Sequence, residues 1–345
     1  MLKYTMRFII SSLLPLLASG LSCDHSGDSP GVCDSEHYET INDRDAAGYF
    51  IHKYGYRRTL EKSICLKDGS CVDVVDAVAY KDGRYLFVRD IAVGEILLSR
   101  MYLKLPQKSE SGNVNVYDTA RWKVNKTALD FFSYTTTMIE EMFTSGVVEM
   151  SKNTAAQVLS IGLGAGFMNS YLHYNYPNMN ITVVDIEPKT LEITQKWFDL
   201  ELDDRHRVVI MDGVEFIKRA VEEGTKYDVI HIDACKPDPS AELACPLKIF
   251  LTPDNVENLS KLITDKGAVI LNVINLHGKI QESAKLVKSS FEDAFKVCTV
   301  KMAPYSHPNM VMTCGRHDNR KKGLKEKYIK FAKYPKSAEY EEVFV

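Results

Sequence analysis

The chain has 345 residues, of which 45% are apolar and 26% charged, with a formal net charge of −3. That is the balance of an ordinary globular protein of about two domains, at roughly 150 residues each, and it excludes a largely disordered chain, a collagen and a coiled coil. No stretch reaches the roughly 20 apolar residues of a membrane-spanning helix, and no strongly basic footprint offers itself to nucleic acid.

The first 22 residues form a separate object. Lys3 and Arg7 are followed by the apolar run Phe8 to Leu17, broken by Pro15, and then by small residues at Ala18-Ser19-Gly20 and Gly20-Leu21-Ser22. This reads as a secretory signal peptide, which predicts a protein secreted or held in the secretory-pathway lumen, with no span left after cleavage. A short membrane anchor or a frayed cytosolic N-terminus is the alternative reading. Eight cysteines follow, in four sequence-local pairs. Behind such a leader the spacing predicts disulfides Cys23–Cys33, Cys65–Cys71, Cys235–Cys245 and Cys298–Cys314; free buried thiols are the alternative. No C-x-x-C pair occurs, so no metal site is expected. Sequons at Asn125, Asn180 and Asn258 mark candidate glycosylation sites and agree with secretion.

Residues 23 to 55 are polar and read as irregular. From Tyr56 to Leu105 short apolar runs separated by Asp68-Gly69 and Asp82-Gly83 predict a β-meander, so that 23–127 forms a small β-rich region. Residues 104–114 read as a loop. Between 128 and 148 the apolar positions Phe131, Phe132, Met138, Ile139, Met142 and Phe143 recur at helical spacing, predicting a helix with one buried face.

From Ala156 the rhythm changes. Near-continuous apolar runs at 158–162, 181–186, 208–211, 229–232 and 268–273 alternate with helical patterns at about 166–176, 189–199, 213–223, 253–264 and 278–292. Alternation of this kind predicts a doubly wound, mostly parallel α/β sheet. The runs 296–302 and 310–314 are joined too closely for a crossover helix and must pair antiparallel. The domain then spans 128–318, and the basic tail 319–345 reads as a solvated helix face.

The chemistry-bearing positions fall at the carboxyl ends of the parallel strands, where open α/β sheets bind ligands. The first strand runs into Gly162-Leu163-Gly164-Ala165-Gly166, a turn whose bare backbone admits a ligand closely and opens a helix. Asp185 ends the second strand, Asp212-Gly213 the third and Asp233 the fourth. Each acid also reads as a helix or loop cap. His231 reads as a core histidine. Cys235 as a nucleophile has no evident base.

Together these features resemble the class I S-adenosylmethionine-dependent methyltransferases with their Rossmann-like fold. The closest likeness is to the spermidine-synthase-like branch, which holds aminopropyltransferases and the elongation factor methyltransferases similar to them. The resemblance implies that Gly162, Gly164 and Gly166 line the methionine and ribose part of the cofactor. It implies that Asp185 binds the ribose hydroxyls and that Asp212 with Gly213 contacts the adenine. Asp233 would take the proton of an attacking amine. Asp130, Phe132 and Tyr134 match an aminopropyltransferase segment that ends in His-Glu, where this chain has Thr135 and Thr136. Tyr134 joins Asp233 as a candidate catalytic residue. Losing that glutamate removes a charge-assisted bond of about 1.5–3 kcal/mol to a polycationic substrate, which favours methyl over aminopropyl transfer.

The resemblance therefore implies methyl transfer from S-adenosylmethionine to a small amine or a protein acceptor. An aminopropyltransferase using decarboxylated S-adenosylmethionine is one alternative, and a secreted non-catalytic protein keeping the fold is another. Among family relatives the small β region pairs edge to edge with a partner subunit, so the resemblance leaves both a homodimer and a monomer open.

Overall fold

A computed structural model describes residues 40–81, 83–107, 116–127, 129, 133–236, 240–303 and 309–333. The chain divides into a segment Met1–Tyr38 and a unit Glu39–Val345. The first lies outside the described residues, and with it the leader and the Cys23–Cys33 pair.

Within 23–55, read as irregular, stands a helix, α1 (Asp43–Tyr54), capped by the Asn42 side chain on the amides of Arg44 and Asp45. Its apolar residues are few, but Ala46, Ala47 and Phe50 face one way and are buried, which a polar average conceals. The meander follows as expected: β1 (Arg57–Cys65), β2 (Cys71–Lys81), β3 (Arg84–Val93) and β4 (Ile96–Tyr102), antiparallel in the order β1-β2-β3-β4. Phe50 packs edge-on against Phe87, and Phe87 against Trp122. A buried ion pair, Arg89 with Asp76 at 2.7 Å, also donates to the carbonyls of Thr119 and Trp197. One guanidinium thus fastens the small sheet to the end of the helix that Trp197 closes.

The rest of the unit Glu39–Val345 comprises α2 (Tyr134–Thr144), β5 (Gln157–Ile161), α3 (Phe167–Asn175), β6 (Asn180–Asp185), α4 (Pro188–Trp197), β7 (His206–Ile210), α5 (Gly213–Glu222) and β8 (Tyr227–Ile232), followed by α6 (Pro253–Leu262), β9 (Ile263–Ile274), α7 (Ile280–Phe291), β10 (Val297–Met302), β11 (Asn309–Gly315) and α8 (Leu324–Phe331). Its seven strands lie in the order β10-β11-β9-β8-β5-β6-β7. Strands β5 to β9 pair in parallel, and β11 inserts antiparallel between β9 and β10. Alternate residues face opposite layers. Leu159, Ile230, Leu271 and Met312 pack with α5, α6 and α7, while Val158, Val229, Ile270 and Val311 pack with α2, α3 and α8.

Three of the expected disulfides are formed, Cys65–Cys71, Cys235–Cys245 and Cys298–Cys314. The first and third join residues directly opposite each other in their hairpins.

One expectation needs correction. Helix α2 does not bury one face: every residue from Thr136 to Thr144 is buried, because β9 and β11 cover one side and α3 and α8 the other. The tail helix α8 presents the expected solvated face and docks by the other. Tyr328 is 1% exposed and stacks on Phe143 of α2 with ring centroids 5.5 Å apart, while Glu326, Lys327 and Lys330 stay in solvent. His231 is fully buried, and burial pushes its imidazole down to about 4, so it sits neutral in the core. No described helix is long and apolar enough to cross a membrane.

Candidate functional site

The turn after β5 takes left-handed backbone at Gly162, Gly164 and Gly166, with φ of 105°, 53° and 77°. Gly162 has a second reason to be bare. A Cβ there would lie 2.6 Å from the carbonyl oxygen of Asp233, since the ends of β5 and β8 nearly touch. Gly166 opens α3 with no side-chain cap. The turn is braced from two directions. The Leu163 amide donates to Asp185 Oδ2 at 2.8 Å, and the Ala165 amide donates to Ser99 Oγ of β4 at 2.9 Å. Gly162→Ala is expected to cost about 1–3 kcal/mol, the range for strained backbone, measured as a fall in denaturation midpoint; an unchanged midpoint counts against the tight approach.

Asp185 ends β6 half-buried. Burial raises its carboxyl above the usual range, opposed by the amides of Glu187 and Leu163, with the Glu187 charge adding to the rise. Each of its oxygens accepts one amide, Oδ1 from Glu187 and Oδ2 from Leu163, leaving further acceptor capacity on both. Beside it Ile186 is 59% exposed. Glu187 caps α4 and also accepts the Lys67 amide at 2.6 Å, while Lys67 Nζ donates to the Ile186 carbonyl at 3.1 Å. The tip of the β1–β2 hairpin, closed by Cys65–Cys71, therefore rests on this rim. Asp212 is exposed and caps α5 through Oδ1, its structural reading fulfilled. Gly213 admits no side chain, because a Cβ would lie 2.9 Å from Ile161.

Asp233 follows β8. Tyr134, the first residue of α2, donates to its Oδ2 at 3.1 Å, and Asn272 Nδ2 of β9 donates to its Oδ1 at 2.8 Å. Asn309 of β11 in turn donates to Asn272 Oδ1 at 2.9 Å. Burial pushes the Asp233 carboxyl up to about 6 against the two donors, and burial with the Asp233 charge raises the Tyr134 phenol well above its ordinary value. Thus two sequence-predicted residues 99 positions apart meet. Cys235 Sγ sits 3.6 Å from Asp233 Oδ1, so the disulfide adjoins the carboxylate and Cys235 is no nucleophile. At α2, Ser133 Oγ takes the Thr136 amide and lies 2.7 Å from Thr135 Oγ1. Asp130 and Phe132 lie outside the described residues.

Sequence reasoning missed Ser99, Lys67, Asn272 and Asn309. Asn272 carried a signal, as the one amide in the apolar run 268–273. It also missed the charges under α2. Lys301 Nζ lies 2.7 Å from Glu141 and 3.5 Å from Glu140, and Arg320 bonds Glu141 at 2.9 Å, with Thr313 donating to the same carboxylate. Burial alone would raise Glu141; Lys301 and Arg320 overcome it and hold the carboxyl at about 2.

Comparison with known proteins follows the same lines. Residues 137–323, more than half of the chain, match the spermine/spermidine synthase domain. An eEF1A lysine and N-terminal methyltransferase homolog from Drosophila pseudoobscura is 37% identical over 123 residues, 36% of this chain and 18% of that protein. The Homo sapiens eEF1A lysine and N-terminal methyltransferase is 28% identical over 167 residues, 48% of this chain and 23% of that one. The chain thus spans less than a quarter of these relatives' length. Among solved structures, human methyltransferase-like protein 13 in complex with SAH has a TM-score of 0.52 at 22% identity, covering 61% of this chain and 96% of that one. A probable spermidine synthase from Corynebacterium glutamicum has a TM-score of 0.51 at 15% identity, covering 84% and 96%. Those structural likenesses are likenesses of fold, and the domain match over more than half of the chain establishes that it belongs to the spermine/spermidine synthase domain family.

Proposed function

We propose that the chain transfers a methyl group from S-adenosylmethionine to an amine on a protein acceptor, within the secretory-pathway lumen or outside the cell. The observation that carries this reading is the meeting of Tyr134 and Asp233 beside a glycine turn braced by Asp185. The residues fit the cofactor. Asp185 keeps acceptor capacity for ribose hydroxyls, exposed Ile186 offers an apolar face to a base, and the positive-φ glycines keep side chains out of the turn. The bound cofactor supplies an electrophilic methyl carbon on a sulfonium. An ammonium has no lone pair, so the acceptor must lose a proton. Asp233, with a carboxyl near 6, is ionised at neutral pH yet basic enough to accept it, while Tyr134 and Asn272 fix its orientation.

Methyl transfer is favoured over aminopropyl transfer, with its decarboxylated cofactor, because Thr135 and Thr136 stand where a carboxylate would hold a polyamine. The eEF1A relatives' printed names support a protein acceptor. Three formed disulfides support an oxidising compartment. The sequons at Asn125, Asn180 and Asn258 are proposed as glycan sites for the same reason; all three asparagines are half-buried.

Thermal unfolding tests the cofactor. S-adenosylmethionine at 100 times its dissociation constant is expected to stabilise the fold by about 2.7 kcal/mol. Asp185→Asn should weaken that binding about 10- to 150-fold, the equivalent of a charge-assisted bond. Labelled methyl should then appear on an acceptor, with no methylthioadenosine released. No shift with either form of the cofactor overturns the reading in favour of a non-catalytic protein.

A further inference from the structure

Asp233 and the cysteine pair beyond it carry a second arrangement of ligand atoms. Asp233, Cys235 and Cys245 hold a carboxylate oxygen and two sulfurs within 4.8 Å of one another. The sulfurs are joined as a disulfide, yet the disulfide is not what holds the three residues in place. The Asp233 amide donates to the Ile161 carbonyl at 2.9 Å, and the Leu247 amide to Ala234 at 3.0 Å. The Lys236 amide donates to Ala244 at 3.0 Å, the Ala244 amide to Ile274 at 3.0 Å, and the Ile274 amide to Cys245 at 2.9 Å. These backbone bonds tie both cysteines and the aspartate to the ends of β5, β8 and β9, and none passes through sulfur.

The distances suit a tetrahedral ion. With zinc–sulfur bonds of about 2.3 Å and zinc–oxygen bonds of about 2.1 Å, tetrahedral ligands stand about 3.6 Å apart for sulfur and oxygen and about 3.8 Å for two sulfurs. Cys235 Sγ is already 3.6 Å from Asp233 Oδ1. The sulfurs must only part, and Cys235 is exposed while Cys245 is fully buried, so the free movement belongs to Cys235. The cysteine Cα atoms stand 4.6 Å apart, and Asn272 Nδ2, on Asp233 Oδ1 at 2.8 Å, steadies the carboxylate. Three protein ligands and one open position describe an accessible zinc site rather than a closed structural one.

We infer that reduction of Cys235–Cys245 creates a zinc site from Asp233, Cys235 and Cys245. A dithiol supplies the two electrons. One of its thiolates attacks the exposed Cys235 sulfur, the Cys235–Cys245 bond breaks, and Cys245 leaves as thiolate. The second thiol then closes on the first, releasing Cys235 and an oxidised cyclic disulfide. On binding Zn²⁺ both cysteines are thiolates, and their protons pass to solvent. Zinc capture rests on this geometry alone. Its consequence, that the metal occupies the carboxylate and stops turnover, rests on the role proposed for Asp233.

The experiment uses the full chain, oxidised or reduced with dithiothreitol and freed of excess reductant, titrated with Zn²⁺ against a chromophoric chelator and with Co²⁺ by absorption. The reduced protein should bind one Zn²⁺ at least 100-fold more tightly than the oxidised protein, and Co²⁺ should give thiolate charge-transfer bands. Cys245→Ser and Cys235→Ser should each weaken binding at least 100-fold, Asp233→Asn at least 10-fold, and Cys65→Ser not at all. Comparing oxidised with reduced wild type needs no variant to fold. Equal zinc affinity in the two states, or in reduced wild type and Cys245→Ser, overturns the site. Tight zinc binding with undiminished methyl transfer supports the site and overturns the catalytic reading of Asp233.

Discussion

Asp233→Asn is expected to lower methyl transfer about 10²- to 10⁴-fold, the range for removing a positioned proton acceptor. Cofactor affinity should stay within about threefold, because Asp185 and the glycine turn are untouched. The pH dependence gives the sharper reading. In the wild type the rate should rise with pH through about 6, as the Asp233 carboxyl ionises, and that limb should vanish in the variant. Stability should move the opposite way. A carboxyl raised by burial binds its proton more tightly folded than unfolded, so its contribution is present at low pH and is lost as pH climbs from about 4 through about 6. The asparagine, still able to meet Tyr134 and Asn272, should therefore fold at least as stably as wild type at pH 7. A variant with full activity at pH 8 would remove Asp233 from the chemistry.

Lys301→Met should cause the largest loss of stability, about 3–5 kcal/mol, which is the cost of leaving buried charge without its partner. At roughly 2–4 °C per kcal/mol for a domain of this order, the midpoint should fall by about 6–20 °C. The ammonium touches both Glu140 and Glu141, each 2% exposed or less. Glu141, held at about 2, contributes stability fully present above pH about 4.5 and lost as pH falls towards 2. That acid-limb loss should shrink in the variant. Converting Glu140 and Glu141 to glutamine alongside Lys301→Met should recover most of the midpoint, since the buried carboxylate charges leave with the ammonium and Arg320, 27% exposed, keeps Asp318 at 3.8 Å. No recovery would mean that Lys301 acts through packing alone.

Much of this molecule is legible in the order of its residues. The strand runs from Val158 to Ile232 are apolar on both faces, and the D-G turns and paired cysteines fix the hairpins within a residue or two. The rim acids are legible because each stands at or just past the carboxyl end of a strand. What escapes is whatever depends on two distant segments meeting. Ser99 and Lys67 look like ordinary positions of a small sheet until that sheet is laid on the glycine turn. α1 hides because three buried residues suffice for a short helix. α2 misleads for the converse reason: an amphipathic pattern implies a wet face, and here Lys301 and Arg320 neutralise the carboxylates that would have made it wet.

The ion cluster under α2 also orders events in the making of the protein. Glu141 leaves the ribosome 172 residues before Thr313 and 179 before Arg320, and Glu140 161 before Lys301. Until those partners arrive, sinking two carboxylates against the sheet is prohibitively costly. The segment bearing Tyr134 is therefore expected to dock only after Lys301, Thr313 and Arg320 have been made, and the corner it forms with Asp233 closes after them.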